Sequence, residues 1–357
     1  MEQECPYRGL PDRAFWRKSI SSVAAGAVDP VVSAEFALSP ADRIATAGSC
    51  FAQHIARALQ GAGFHYLVTE QFDGLIDPDV QRQHGYGVFS ARFGNVYTTR
   101  QLLQLMQRAH GDFAPAEPFW EEGGGWIDPF RPFVQPGGFG SVVEAELDRR
   151  RHLAAVREMF ETADVFVFTL GLTETWLSNE DGAAFPICPG CGAGQFDPER
   201  FRFHNLSVSE VIEDLEAFLV LLRQRNPTVR VILTVSPVPL VATMTDQSVL
   251  AATTYSKSVL RVAAGDVSDR WSDVAYFPSY EVIAGPHAQG RYYEEDLREV
   301  RAEGVQHVMR LFLRHYCDIE SATPLDTTSV AAVQPSASQQ VADVICDEER
   351  LEAAALD

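Results

Sequence analysis

Residues 43–59, RIATAGSCFAQHIARAL, decide the fold, because a strand, a sharp turn and a helix follow one another there without interruption. Small and apolar residues at 44–47 predict a short buried strand, and apolar residues then recur at helical spacing. Gly48 gives the turn its backbone freedom, and Ser49 is a competent N-cap for the helix. Such turns lie at the carboxyl ends of strands in a parallel sheet.

Cys50 follows in this turn, where helix N–H groups and the positive end of the helix dipole favour a thiolate. Strand–turn–helix units commonly present a nucleophile in this way. The pattern also fits a structural cysteine, since free Cys is among the most buried residue types. Cys50 is therefore a candidate nucleophile. Ser49 is the alternative, because a turn rotated by one residue would exchange the two.

Composition sets the broad class. The chain has 357 residues, 46% of them hydrophobic, which is enough for one α/β domain with insertions. Its net charge of −20 argues against nucleic acid and anionic membranes as partners. There is no 18-residue apolar run and no signal-peptide layout, so we expect a cytoplasmic protein without a membrane span. The six cysteines show no disulfide framework.

Three regions are expected. Residues 1–42 contain four prolines and predict an extended arm that packs Tyr7, Phe15 and Trp16 onto the body. Residues 43–317 form the α/β domain. Residues 318–357 carry nine acidic residues and one basic residue, which predicts a disordered tail with a short helix at 347–355 and a possible protein partner.

Alternating strands and helices predict the body of the domain. Further strands are expected at 64–68, 165–170, 229–235 and 274–277, and helices after Thr98 or Thr99 and at 141–161, 207–225, 250–264 and 297–316. Residues 111–140 are rich in Gly, Pro, Phe and Trp. So long an irregular stretch predicts either a substrate lid, with Trp126 and Arg131 as candidate contacts, or a packed insertion.

Candidate site residues follow several strands. Because the strands are parallel, these residues should meet Cys50 at one edge of the sheet. They are Gly171, Thr173, Glu174 and Trp176 after the strand at 165–170, residues 236–239 after the next, and Ser279 and Tyr280 after the last. Trp176, Ser279 and Tyr280 are candidate substrate contacts. The CPGC motif at 188–191 has metal-like spacing, but even with His204 it is one ligand short of a zinc site, so neither metal nor cofactor is expected.

The stretches AGSCFAQHIA, FSARFGNVYT, FTLGLTETW, LTVSPVPL, YFPSYE and EEDLREV together resemble the GSCFA family. That family is distantly similar to the SGNH/GDSL hydrolases, which are three-layer α/β/α enzymes with a parallel sheet that cleave or transfer acyl groups, often on carbohydrates. The resemblance therefore implies that fold and an acyl-transfer activity. Some family members are labelled as polysaccharide-biosynthesis proteins, which implies a glycan substrate by association only.

The resemblance also implies roles for individual residues. Residues 48–50 match the Gly-Asp-Ser block, so Cys50 stands at the nucleophile position and Ser49 at the Asp position. Gly94, with Asn95 beside it, corresponds to the glycine whose amide helps form the oxyanion hole. Residues 171–174 match the Gly-x-Asn-Asp block, with Thr173 in place of the Asn donor and Glu174 in place of the Asp.

The last block departs from the pattern. Residues 296–299 match Asp-x-x-His, but Glu299 stands where the catalytic histidine should be, beside Asp296 as a supporting group. Three other histidines could serve as the base. His54 lies one helical turn after Cys50, His287 precedes Asp296 in the same loop, and His204 is the third.

Two functions follow. The first is an esterase or O-acyltransferase that acts on a small molecule or glycan through Cys50, since a low-pKa thiol depends less on a base than a hydroxyl does. The second is a catalytically silent glycan-binding or assembly protein, in which Trp120, Trp126 and Phe130 stack on sugar rings.

Overall fold

The computed structural model describes residues 5–72, 74–75 and 77–317 of the chain. The strands are β1 (Ile44–Gly48), β2 (Trp120–Glu122), β3 (Gly125–Ile127), β4 (Val165–Leu170), β5 (Glu174–Ser178), β6 (Ala184–Phe185), β7 (Phe201–Asn205), β8 (Arg230–Val235) and β9 (Val274–Phe277). The helices are α1 (Ala52–Gly61), α2 (Pro78–Gln83), α3 (Thr99–His110), α4 (Val142–Thr162), α5 (Val208–Arg225), α6 (Val249–Arg270), α7 (Ser279–Ala284) and α8 (Ala302–Tyr316). The acidic tail predicted at 318–357 lies outside the described residues.

The central sheet has four parallel strands in the order β1-β4-β8-β9. The strands predicted at 165–170 and 274–277 are confirmed at those bounds. The strand predicted at 64–68 is reduced to one parallel bridge between Tyr66 and Ile44. It ends early because the chain turns away from β1, and the Thr69 amide donates to the Ser90 carbonyl at 2.8 Å.

Helices cover both faces of this sheet, so the domain is a three-layer α/β/α sandwich with a parallel sheet. Phe166 and Phe168 of β4 pack on one side with α3, α4, α5 and α6. Val165 and Val167 of the same strand pack on the other side with α1, α7 and α8. Successive side chains of a strand point to opposite faces, and both faces of β4 are buried, which explains why its sequence is apolar throughout.

Capping boxes begin two of the helices. Ser207 caps α5 together with Glu210, as the sequence predicts. Of the two caps expected for α3, Thr98 is the one, and it pairs with Gln101.

The last helix begins later than expected. The spacing predicts a helix from residue 297, but α8 begins at Ala302. The Asp296 carboxylate accepts the amides of Arg298 and Glu299 at 3.0 and 3.1 Å, and Leu297 has a φ of 56°. An Asx turn therefore replaces the first helical turn.

A smaller core lies beyond the carboxyl end of β4. There β5 pairs antiparallel with β6 and β7, and the 111–140 insertion supplies the β2–β3 hairpin. Trp120 and Phe130 of the insertion are buried against Phe185, and Phe201 joins the same core. Of the two alternatives for 111–140, the structure matches the packed insertion.

The N-terminal segment packs differently from the expected arm. Tyr7 and Trp16 are 69% and 63% exposed, so the aromatic contacts predicted for them are wrong. Val28 and Leu38 are buried instead, and the Leu38 amide donates to the Tyr316 carbonyl at 2.6 Å. The segment is therefore held on α8 by its second half.

Candidate functional site

The turn after β1 is built around Gly48. Its φ is +140°, and a Cβ at this position would lie 2.4 Å from the Thr169 carbonyl oxygen of β4. No larger residue fits so close to a central strand. The amide of Ser49 then donates to the same Thr169 carbonyl at 3.1 Å. This close approach fixes where Ser49 and Cys50 leave the sheet.

Ser49 and Cys50 are both buried, at 2% and 5% exposure. Helix α1 begins at Ala52 after 3₁₀-type bonds from the amides of Ala52 and Gln53 to the carbonyls of Ser49 and Cys50. The prediction that Ser49 caps the helix is wrong, because its Oγ accepts no amide and has no hydrogen-bond partner among the described residues. Both side chains thus lie at the very start of α1.

The segment at 94–97 runs beside this turn. The amide of Val96 donates to the Gly48 carbonyl at 2.8 Å, and the Tyr97 carbonyl accepts the amide of Gly171 at 2.9 Å. Gly94 has a φ of +71°, and no atom packs within 4 Å of the position its Cβ would take. Residues 94–97 therefore join the ends of β1 and β4, and Gly94 borders open space.

Gly171 closes the group of residues around the turn. A Cβ on Gly171 would lie 3.1 Å from the Ser49 Cβ and 3.1 Å from the Tyr97 carbonyl. Gly171 and Ser49 are consequently in van der Waals contact. Gly171 therefore lies against both Ser49 of the turn and Tyr97 of the 94–97 segment.

Thr173 behaves differently from the expected oxyanion donor. Its hydroxyl donates to Asn205 Oδ1 at 2.6 Å, and it is fully buried. A hydroxyl has one proton to donate, so the Thr173 side chain is already committed. The amide Nδ2 of Asn205 donates no hydrogen bond to any residue that the structure describes, and Asn205 is half-buried. Asn205, not Thr173, holds the available side-chain donor.

Lys257 is a second residue that sequence analysis missed. It is fully buried on α6, and its Nζ donates to the Gly171 carbonyl at 2.5 Å. The neighbouring Ser256 Oγ accepts the amide of Thr173 at 3.0 Å. Its sequence signal is a lysine on the same helix face as Leu260, which is buried in the core. Because burying an ammonium is costly, a lysine at this place is a candidate for function.

The sequence model of the GSCFA family matches residues 43–312. The chain belongs to the GSCFA family. The match spans the central sheet and every site residue named above, and it omits the N-terminal segment. The comparison with curated proteins gave no match.

None of the three candidate histidines of this GSCFA chain bonds to Ser49 or Gly171 in the described residues. His54 is half-buried beside Phe51, and desolvation, with Arg57 nearby, lowers its pKa to about 4. His204 Nε2 lies 2.7 Å from Glu210 Oε1. Burial also lowers the pKa of His287. The expected histidine base therefore has no counterpart in these contacts.

The carboxylates predicted for the site hold loops instead. Glu174 accepts the Thr243 hydroxyl at 2.5 Å and the Met244 amide at 3.2 Å, and burial raises its pKa. Asp296 closes its own Asx turn, and Glu299 is exposed. Their loop reaches the strand ends because Tyr293 donates to the Pro237 carbonyl at 2.8 Å. Glu174 and Asp296 are thus engaged by residues of neighbouring loops.

The predicted substrate contacts after β4 and β9 are engaged within the protein. Ser279 is fully buried, and its Oγ donates to the Val235 carbonyl at 2.8 Å. Trp176 contacts Phe196 and Phe203 edge-on. Tyr280 is half-buried against the core that contains α6.

The predicted contacts of the insertion are likewise internal. Trp126 packs in a small core with Phe139. Arg131 is buried and forms ion pairs with Asp128 and Asp148. Neither side chain is presented as an open substrate contact, because each is held by its own neighbours.

No group of three or more His, Cys, Asp or Glu side chains within residues 5–72, 74–75 and 77–317 could hold a metal ion. Across the same residues no helix is both long and apolar enough to cross a bilayer. Cys188 and Cys191 lie close together, and burial, followed by the neighbouring Cys191, raises the pKa of Cys188 to about 12.

Proposed function

We propose that this GSCFA protein is an acyl-transfer enzyme, an esterase or O-acyltransferase, with Cys50 as its nucleophile. The observation that supports the proposal is the contact of Gly171 with Ser49 of the Gly48–Cys50 turn, and Asn205 is bonded to Thr173, two residues after Gly171. Acyl transfer needs a nucleophile and hydrogen-bond donors for the oxyanion, which backbone amides at glycines and a side-chain amide can supply.

The reaction would proceed in two steps. The Cys50 thiolate attacks the acyl carbonyl carbon, the carbon–oxygen bond to the leaving group breaks, and the leaving oxygen takes a proton from solvent water. A thioester on Cys50 results. Water or an acceptor hydroxyl then attacks this thioester, loses its proton, and releases Cys50. Neither step needs a cofactor.

Oxyanion stabilisation would come from backbone and side-chain donors. We assign the amides of Cys50 and Gly94 and the Nδ2 of Asn205 to this role. Gly94 supports the assignment because the space beside it is open, and Asn205 because Thr173 fixes its orientation through Oδ1. Removing one such donor typically lowers kcat by about 10²–10³-fold.

Positive charge near the turn would compensate for Glu299, which stands at the histidine position of the family's last block. Lys257 is buried against the Gly171 carbonyl, and Gly171 packs on Ser49. A buried ammonium acts through a low dielectric, where charges interact more strongly than in water. It would favour the thiolate form of Cys50, and a thiolate needs no general base.

The chemical class of the acyl acceptor is a separate question from the reaction. A glycan acceptor is supported only by the labels of other family members. The alternative of a silent glycan-binding protein relied on exposed aromatic residues, but Trp120 and Phe130 are buried in the small core. We therefore place acyl transfer first.

Turnover of a panel of 4-nitrophenyl and thioester acyl donors tests the proposal, with and without sugar acceptors. Cys50→Ala should abolish turnover while its far-UV spectrum and Tm stay close to those of the parent protein. Cys317→Ala is the matched control, because Cys317 is also buried but lies at the end of α8. Turnover retained in Cys50→Ala would refute the assignment of the nucleophile.

A further inference from the structure

A buried cluster of charged residues borders the 94–97 segment through a shared cavity. The proposed nucleophile Cys50 is not a member of this cluster. We call it the arginine cluster. Its members come from the loop before α3, the end of α3, the insertion and α4, and they are Glu70, Arg92, Arg108, Asp128, Arg131, Asp148, Arg149 and His152.

The arginine cluster does not balance its charge. It contains four guanidinium groups and three carboxylates. Burial, then Arg131, lowers the pKa of His152 to about 4, so this ring is neutral at pH 7. Burial lowers the pKa of Arg108 only to about 9, so its guanidinium keeps its charge. One positive charge is left over in a buried place, which is costly.

Arg108 carries this excess. Its guanidinium lies 3.7 Å from the centre of the Phe130 ring. No hydrogen bond joins its side chain to any described residue, and its Nη2 is fully buried. Arg131 bonds to Asp128 and Asp148 through two nitrogens, but its Nη1 is buried without a partner in the described residues. Two buried guanidinium donors are thus unsatisfied.

Arg108 and Arg131 both line one cavity. It has a volume of about 20 Å³, and its wall includes Arg108, Arg131, His152 and Asn95. A single water needs about 10–15 Å³ measured in this way, so the cavity has room for one or two solvent-sized particles. A water molecule would accept the two hydrogen bonds but would leave the charge unbalanced.

We propose that this cavity binds a small monovalent anion of halide size, held by the guanidinium groups of Arg108 and Arg131. An ion of this size fits the volume, satisfies both donors and neutralises the cluster. The His152 Nδ1 lies 2.7 Å from Glu70 Oε2, and the ring is a neutral part of the wall.

The anion would fasten the insertion to the body of the domain. Arg108 belongs to α3 and Arg131 to the insertion, so one ion would join the two. The cavity is also lined by Val96, whose amide bonds to the Gly48 carbonyl. The proposal goes beyond acyl transfer and does not depend on it.

Diffraction from crystals of the full-length protein soaked in sodium bromide tests the site directly. We expect an anomalous peak between Arg108 and Arg131. A cavity without such a peak, at a bromide concentration that labels surface sites elsewhere, would overturn the proposal.

Thermal unfolding in chloride or bromide, compared with gluconate at equal ionic strength, tests the same site in solution. The halides should raise the Tm of the parent protein by about 2–4 °C. Arg108→Gln should lose this dependence. Arg100→Gln is the matched control, because Arg100 lies on the same helix and pairs with Asp214, so it should lower the Tm yet keep the halide response. Equal halide responses in the parent and Arg108→Gln, or protection by formate and not by halides, would overturn the proposal.

Discussion

Replacing Gly48 by Ala tests the geometry of the turn most severely. The new Cβ would lie 2.4 Å from the Thr169 carbonyl oxygen, 2.7 Å from its amide nitrogen and 2.8 Å from its Cβ. The obstructing atoms belong to the backbone of β4, which is bonded to β1 on one side and to β8 on the other. Neither neighbour can move without breaking a row of hydrogen bonds.

The cost has two parts. A φ of +140° strains any residue with a side chain by about 1–3 kcal/mol. Overpacking against a rigid strand adds about 1–3 kcal/mol. We therefore expect the free energy of unfolding to fall by about 2–6 kcal/mol, a large share of the roughly 5–15 kcal/mol that stabilises a typical domain.

Gly94→Ala is the matched control. Gly94 also has a left-handed φ, +71°, but nothing lies within 4 Å of its Cβ position. Only the backbone strain of about 1–2 kcal/mol should then appear. Urea unfolding followed by circular dichroism measures both variants. If they lost the same stability within about 0.5 kcal/mol, the close approach of Gly48 to β4 would be refuted.

Three further predictions concern the donors and the buried histidine. Asn205→Ala should lower kcat for an acyl donor by about 10²–10³-fold with little change in Tm, whereas an unchanged kcat would remove Asn205 from the site. Lys257→Met should move the acidic limb of the pH–rate profile to higher pH, and an unmoved profile would show that its charge does not act on the nucleophile. His307 bonds to the Tyr292 hydroxyl and the Val28 carbonyl, and burial, then Arg310, lowers its pKa from 6.5 to about 4. The unfolded chain therefore takes up the proton first, and stability present above pH 6.5 is lost as the pH falls towards 4. His307→Gln should reduce by about 2 kcal/mol the difference between unfolding free energies measured at pH 7.5 and pH 5, and an undiminished difference would refute this account.

The sheet was predictable from sequence because its signals are local. Residues 165–170 are β-branched or aromatic throughout, which is how a strand buried on both faces must appear, and they form β4 at the predicted bounds. Ser207 and Glu210 marked the start of α5 by a capping box. In both cases the deciding interactions lie within a few residues along the chain.

The start of α8 was mispredicted because a local alternative competed. Apolar spacing favours a helix from residue 297. The Asp296 carboxylate instead accepts hydrogen bonds from the amides of Arg298 and Glu299 and stabilises a turn. Asp side chains offer the backbone such alternatives, and spacing alone does not reveal which one prevails.

The site was predictable only in part. Gly48, Cys50 and Gly171 converge as expected, since they follow parallel strands. The donor next to Thr173 was not predictable, because Asn205 lies 32 residues further along the chain and meets Thr173 only through the pairing of β5 with β7. Lys257 was missed for the same reason, as its contact with Gly171 spans 86 residues.

Acylation of Cys50 itself is the most direct test of the central claim. The protein is mixed with 4-nitrophenyl acetate, quenched at short times and mapped by peptide mass spectrometry. Cys5 is exposed and Cys317 is buried, so they are internal standards for an accessible and a shielded thiol. We expect Cys50 to be acetylated before Cys5, and we expect Cys50 to lose its acetyl group when an acceptor is added. If Cys5 were acetylated first, and Cys50 were acetylated only as slowly as Cys317, the assignment of Cys50 as the nucleophile would be contradicted.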